Sequence, residues 1–166
     1  MGEDKIKILA YLIAEGHLGN NCVRFSNGDS KIISDFETAV KNFDEYLEVH
    51  QHSKYDFGVI TKLPPKVDII ERDELGRIKK LRHYERSSIK IWLEELGLYG
   101  RLSNDKFIPD IILKLPKNKI ALFLHHLWAT DGNISWKNLK GRQPAAAIYY
   151  SSTSKTLINQ IQHLLL

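Results

Sequence analysis

The sequence predicts an α+β fold assembled from a repeated unit of buried helix, strand pair and amphipathic helix. Three observations lead there. Two short segments are apolar nearly all round, and each closes on an acid followed by glycine, Glu15-Gly16 and Asp131-Gly132. Strand-like runs with turn residues follow each. An aromatic-Ser pair then leads, at the same spacing in both places, into an amphipathic helical pattern.

The elements follow in order. Ile6, Leu9, Ala10, Leu12 and Ile13 mark a helix that starts near Asp4 and stops at Gly16. Its lack of a polar face predicts burial on every side. Cys22 to Ser26 reads as a strand, and Asn27-Gly28 as a turn. Asp29 is the expected N-cap of a second helix from Ser30 to about Glu48, with Ile32, Ile33, Phe36, Ala39, Val40, Phe43 and Leu47 on one face. Tyr55 to Lys62 reads as a strand, broken by Pro64-Pro65. Val67 to Arg72 and Arg77 to His83 flank the charged turn Asp73-Glu74-Leu75-Gly76. Ser87 or Ser88 opens a helix carrying Ile89, Trp92, Leu93 and Leu96, stopped by Gly97. After Pro116, Ile120 to Thr130 forms the second apolar helix. A hairpin runs from Asn133 to about Ser151 with its turn near Lys140-Gly141, and a last helix carries Leu157, Ile158, Ile161, Leu164 and Leu165.

Composition narrows the function classes. Hydrophobic residues make up 43% of the 166, which excludes disorder, and 27% charged residues is ordinary. The single Cys22 excludes a disulfide framework and a Cys-rich zinc module, and fits a reducing, cytoplasmic setting. No apolar run reaches the roughly 18 residues of a membrane span, so no membrane partner is expected. The net charge of +4 leans faintly towards a polyanion.

The repeat says more. Ser26 and Ser151 start a gapless correspondence at an offset of 125 (151 − 26), pairing Phe36 with Ile161 and Val40 with Leu165. The acids are offset by 116 (131 − 15), so the second hairpin is the longer. Two apolar helices can bury each other, with Ala10, Ala14 and Ala129 expected at the crossing. Their ends would then bring Glu15 and Asp131 together. Two carboxylates there repel unless a cation sits between them. Hard oxygen ligands suit Mg²⁺, which also takes phosphate oxygens, and such a centre suits phosphodiester hydrolysis.

Ile8-Leu9-Ala10-Tyr11-Leu12-Ile13-Ala14-Glu15-Gly16 resembles the first motif of the LAGLIDADG (dodecapeptide, DOD-type) homing endonucleases. Phe123-Leu124-His125-His126-Leu127-Trp128-Ala129-Thr130-Asp131-Gly132 resembles the second. Lys106-Phe107-Ile108-Pro109 is similar to the lysine block of intein-borne members, and Tyr150 to Ser154 with Leu164-Leu165-Leu166 to their later block. The likeness is to endonuclease domains inside inteins of replicative DNA helicases.

The resemblance implies a pseudo-twofold αββαββα fold with two saddle-shaped antiparallel sheets on DNA, and site-specific cleavage of double-stranded DNA. It implies that Glu15 and Asp131 bind Mg²⁺ or Mn²⁺, that the carbonyls of Ala14 and Thr130 add ligands, and that Lys106 is catalytic. It divides the chain into a first half, 1–115, and the start of a second, 116–166. Residue 166 corresponds to Lys41 (166 − 125), so the second half is expected to be truncated. An intein splicing domain is expected in the parent protein. An oligomer is not required if the parent completes the second half. Self-splicing by this chain is not expected, because Cys22 is internal and no terminal His-Asn is present. Alanine at position 10 replaces the usual glycine, and His126 stands where a small residue is usual, so the crossing is expected to widen.

Strand pairs can present side chains to base edges in the major groove. The hairpin candidates are Asn20, Asn21, Arg24, Ser135, Lys137, Asn138, Lys140, Arg142 and Gln143. In the first half's second strand pair they are Lys62, Arg72, Arg77, Lys79, Arg82 and His83. The alternative reading is a degenerate or truncated relative that binds DNA, or RNA as a maturase, without cutting both strands.

Overall fold

The computed structural model describes residues 1–19, 22–63, 66–83, 86–138 and 140–166; of residues 66–71 and 78–83 it describes the backbone. Helix α1 spans Glu3–Glu15. Glu3 and Asp4 in its first turn complement the positive end of the helix dipole. Ile6, Ile8, Leu9, Ala10, Tyr11, Leu12 and Ile13 are all buried, as an all-round apolar helix requires. Each large apolar side chain so buried contributes about 1.5–3 kcal/mol, which makes α1 the axis of the core.

Four strands follow in one antiparallel sheet of order β1-β2-β4-β3: β1 Gly16–His17, β2 Val23–Ser26, β3 Leu47–Gln51 and β4 Asp56–Thr61. Helix α2, Ser30–Phe43, joins β2 to β3 and lays Phe36, Ala39 and Val40 on the core. Asp29 caps it, its carboxylate accepting from the amides of Lys31 and Ile32.

The expected extension of α2 to Glu48 is wrong. Asp44 leaves the helix at φ −157°, and its side chain accepts from the Tyr46 amide 2.9 Å away. Leu47 then starts β3, buried opposite Thr61. Helical spacing from Phe43 imitated a stripe that the sheet in fact buries.

Strands β5 (Lys66–Arg72) and β6 (Ile78–His83) form a separate two-stranded ribbon. The sequence took them for the second strand pair of the first half's sheet. That pair is β3–β4; the expected helix runs over the first two residues of β3, Leu47 and Glu48, and the sequence reading assigns no strand to the rest.

Helix α3, Ser88–Glu95, buries Ile89 and Leu93, and Gly97 ends it at φ +70°, a conformation that favours glycine. A 3-10 turn at Ser103–Asp105 and the short helix α4, Asp110–Leu113, lead to α5, Lys117–Asp131. A hairpin of β7 (Gly132–Lys137) and β8 (Ala145–Tyr150) and helix α6, Lys155–Leu165, complete the described chain. The core is one cluster in which Phe123, Leu127, Leu157 and Ile161 join the residues of α1. No helix among the described residues is long and apolar enough to cross a membrane.

The repeat is visible in the hydrogen bonds. Gly16 pairs with Phe25, and Gly132 with Tyr150, the aromatics matched in sequence. Gly16 N–H donates to the Leu12 carbonyl and Gly132 N–H to that of Trp128, both four residues back. Asp29 caps α2 at Ile32, and Ser154 caps α6 at Leu157, each offset by 125 (154 − 29, 157 − 32). Neither glycine serves a left-handed turn: φ is −80° at Gly16 and −82° at Gly132. A Cβ at either would lie 2.4 Å from the carbonyl oxygen that its own amide bonds. Glycine follows the acid because the chain leaves the helix straight into a strand across its last turn.

Helices α1 and α5 pack together along their lengths. Ala10 is fully buried and Ala14 half-buried on α1, as small residues at a crossing should be. Ala129 is exposed, so its expected place at the crossing is wrong. The buried face of α5 is Phe123, His126 and Leu127, at helical spacing, and position 129 falls off it.

Candidate metal centre and nucleic-acid interface

Glu15 and Asp131 are the last residues of α1 and α5. A carboxylate there faces the negative end of its own helix dipole, with no basic residue in either last turn to offset it. Both are half-buried. Burial is the main cause raising the Glu15 carboxyl above its usual range; the amide of Asn27 and the charge of Lys106 oppose this, and the Asp131 charge adds to it. Burial likewise raises Asp131, opposed by the Tyr150 hydroxyl and Lys106. The Asn27 amide donates to Glu15 Oε2, and the Tyr150 hydroxyl donates to Asp131 Oδ2 at 3.2 Å.

Lys106 lies between them. It is only 3% exposed, and its Nζ donates to the carbonyls of Leu12 (3.0 Å), Ala14 (3.3 Å) and Gly16 (2.7 Å). Leu12 and Ala14 belong to the last turn of α1, where helical partners run out, and Gly16 follows it; the Leu12 oxygen also accepts from the Gly16 amide. Three donors meet three acceptors, so the ammonium caps α1 and screens the two acids. Burial pulls it down to about 8, while the charges of Asp131 and Glu15 hold it up. The lysine segment is fixed from α6. Ser154 Oγ donates to the Lys106 carbonyl at 2.6 Å, and Gln160 clasps Ile108 with a bond to its carbonyl (2.9 Å) and one from its amide (2.7 Å). A cavity of about 420 Å³ opens here, lined by Ile13, Ala14, Ser103, Lys106, Asp131, Ser151, Ser152 and Thr153.

Asp131 and Ala14 border this space and Glu15 follows Ala14 in the chain; two carboxylates with the Ala14 carbonyl, which also accepts from Lys106, make a hard-oxygen donor set that suits a small divalent cation retaining several waters. Among the described residues no group of three or more His, Cys, Asp and Glu side chains converges, so a closed protein cage is not what this site offers. The Thr130 hydroxyl turns back on its own helix, to the carbonyls of His126 and Leu127. His126, the bulky residue of the crossing, is buried there. It reaches across to Tyr11, Nδ1 to Oη 2.8 Å. Tyr11 in turn donates to Asp35, which is also paired with Lys7.

Residues 118–166 match the family described as LAGLIDADG-like domain. This stretch of the chain is LAGLIDADG-like. The resemblance to LAGLIDADG homing endonucleases drawn from its two helix motifs is borne out, and the mixed helices and antiparallel strands agree with an α+β homing-endonuclease fold. Similar curated proteins are replicative DNA helicases DnaB. That of Rhodothermus marinus is 40% identical over 172 residues, taking in 99% of the chain and 16% of the helicase. Those of Synechocystis and Nostoc are 39% and 37% identical over 87 and 92 residues, covering 52% and 55% of the chain and 10% of each helicase. The chain thus spans a tenth to a sixth of the length of these relatives.

The nucleic-acid candidates scatter more widely. Arg24 lies on the sheet face away from the buried Val23 and Phe25, and its guanidinium is tied to Asp56 at 3.1 Å. On that same face the register places His17 and Ser26 beside it and His50 two strands away, residues the sequence reading left off its candidates. Alternation along paired strands would have found His17 and Ser26; His50 needed β3, a strand the sequence reading does not include. Ser135 and Lys137 share the matching face of the β7–β8 ribbon with Asn133 and Tyr149. Trp136 and Ile134 take its other face, both more than 70% exposed. Asn138, Lys140, Arg142 and Gln143 are exposed in the loop between β7 and β8.

Lys62 follows β4, exposed and paired with Glu48 at 3.2 Å. Arg72 ends β5, and Arg77 closes the following turn on Asp73 at 2.9 Å. Lys79, Arg82 and His83 belong to β6. Arg72, Lys79, Arg82 and His83 are therefore on the separate ribbon and not on the four-stranded sheet, contrary to expectation. Asn20 and Asn21 lie outside the described residues.

Proposed function

We propose that the chain is the endonuclease portion of an intein in a replicative DNA helicase, cutting double-stranded DNA site-specifically with Mg²⁺ or Mn²⁺. The observation that carries the reading is the pair of half-buried acids at the ends of two packed helices, repeated in the same strand register and sharing the field of Lys106. Nothing in the core needs these carboxylates: burial and the helix dipoles both work against them. A purely structural pair would be better served by amides.

A bound divalent cation supplies Lewis-acid polarisation of the phosphodiester and of the attacking water. The chain's own residues do the rest. Glu15 and Asp131 hold the cation, with the carbonyls of Ala14 and Thr130 as further ligands. Lys106 holds the last turn of α1 in place and keeps positive charge where the phosphate arrives. Arg24, Ser135 and Lys137, on matching strand faces, reach the groove, and the exposed loop residues Asn138, Lys140, Arg142 and Gln143 meet phosphates or base edges. The long match within a helicase of which it covers a sixth supports an insert in a host protein, with splicing segments supplied by the parent.

The test is cleavage of a plasmid carrying the intein-free helicase sequence around the insertion point. With Mg²⁺ the chain cuts; with EDTA, or with Glu15→Gln or Asp131→Asn, it binds and does not cut. Undiminished cutting by both variants refutes the site. Salt-sensitive binding with no metal-dependent cutting or nicking by the unaltered chain refutes the enzyme and leaves the degenerate binder.

A further inference from the structure

The two acids are alike in place and unlike in what holds them. Asn27 and Ser152 are counterparts (152 − 27 = 125), and both build the same turn into the following helix. Asn27 Oδ1 accepts from the Asp29 amide at 2.8 Å, and Ser152 Oγ accepts from the Ser154 amide at 3.2 Å. Only Asn27 is long enough to do a second thing. With its oxygen occupied by Asp29, its Nδ2 is turned to Glu15 Oε2. Its backbone is fixed too, the amide donating to the Tyr55 carbonyl at 3.0 Å on the sheet. In the second half the shorter Ser152 leaves Asp131 to a different group, the hydroxyl of Tyr150, which packs on Trp128.

We infer that Asn27 and Tyr150 are the positioning residues of the two acids, an amide for Glu15 and a phenol for Asp131. The inference rests on the metal reading of those acids. The orientation of the Asn27 side chain decides its part: the oxygen faces the Asp29 amide and the nitrogen faces Glu15, so it presents a donor to the carboxylate. A donor on one carboxylate oxygen fixes the rotamer and leaves the other oxygen for the cation. Outer partners of this kind orient ligands, and losing one weakens metal affinity roughly 10- to 100-fold.

The serine found in the second half supplies the test. Asn27→Ser keeps an oxygen for the Asp29 amide, as Ser152 does for Ser154, but cannot reach Glu15. Tyr150→Phe keeps the ring on Trp128 and removes the hydroxyl. Mn²⁺ binding to the full chain without DNA, followed by electron paramagnetic resonance, is compared with Glu15→Gln and with thermal unfolding in EDTA. The expected result is roughly tenfold or greater weakening of Mn²⁺ binding in Asn27→Ser and in Tyr150→Phe, with the Asn27→Ser unfolding midpoint unchanged. Asn27→Ser that binds Mn²⁺ like the unaltered chain overturns the inference. So does a lowered midpoint with unchanged affinity in the folded protein, which makes Asn27 a turn residue only. If Glu15→Gln binds as well as the unaltered chain, the metal reading itself fails and takes the inference with it.

Discussion

The Tyr11 hydroxyl and His126 Nδ1 meet at 2.8 Å across the crossing of α1 and α5, inside the core. Tyr11 has one proton to give, and it goes to Asp35 Oδ2 at 2.7 Å. Its lone pair therefore accepts from Nδ1–H, which fixes the neutral tautomer of His126. Burial holds the imidazole below its usual range, with His125 and Lys7 acting the same way and Asp35 opposing them.

Tyr11→Phe takes the hydroxyl from buried His126 and leaves Asp35 with Lys7. It should destabilise the fold by about 1–3 kcal/mol, the cost of leaving a buried polar group unpaired, as read by urea unfolding at neutral pH. The unfolded imidazole takes up a proton near pH 6.5 while the folded one resists. The His126 contribution is thus complete above that pH and is lost as pH falls from 6.5 towards the lower folded value. His126→Phe should flatten that part of the stability profile.

The acids should trade stability for function. In EDTA the folded carboxyls of Glu15 and Asp131 lie above their usual range, so their cost to folding grows as pH rises from the ordinary carboxylate values through the raised ones. At pH 7 Glu15→Gln and Asp131→Asn should therefore raise the thermal midpoint, by about 2–4 °C for each kcal/mol relieved, while abolishing cleavage. A metal-free scan showing either variant less stable than the unaltered chain would contradict this.

Lys106 gives a signature at high pH. Its folded value is about 8 against 10.5 unfolded. Between these the unfolded chain binds the extra proton, so stability rises with pH, at no more than about 1.4 kcal/mol per pH unit. Lys106→Met should lose that rise. Chemical denaturation at several pH values between 8 and 10 measures it.

Gly16→Ala and Gly132→Ala test the helix-to-strand exit. The added methyl would meet the Leu12 or Trp128 carbonyl oxygen at 2.4 Å, and at Gly132 also the indole ring. Each should cost about 2–3 kcal/mol, visible as a lower urea midpoint with unchanged slope, although alanine is the better helix former.

Much of this was legible in the chain. A helix with no polar face has to be buried, so α1 and its place at the centre followed from composition alone. The correspondence at offset 125 anticipated the matched caps at Asp29 and Ser154, because N-caps are local chemistry. What failed was non-local. Leu47 fits a helical stripe and a strand equally well, and only its pairing with Thr61 decides between them. Ala129 is small, but which face of α5 meets α1 depends on where Phe123, His126 and Leu127 find partners.

Lys106 shows the same division. The sequence by itself determined the repeated unit, the two acid-glycine helix ends and the residue types fit for a metal-dependent site. Only the tertiary structure decided that the lysine caps the last turn of α1, that α6 holds it through Ser154 and Gln160, and that an amide steadies one acid and a phenol the other. Periodicity and capping are written in neighbours a few residues apart. A hydrogen bond between residues 12 and 106, or 108 and 160, exists only once the chain has closed on itself.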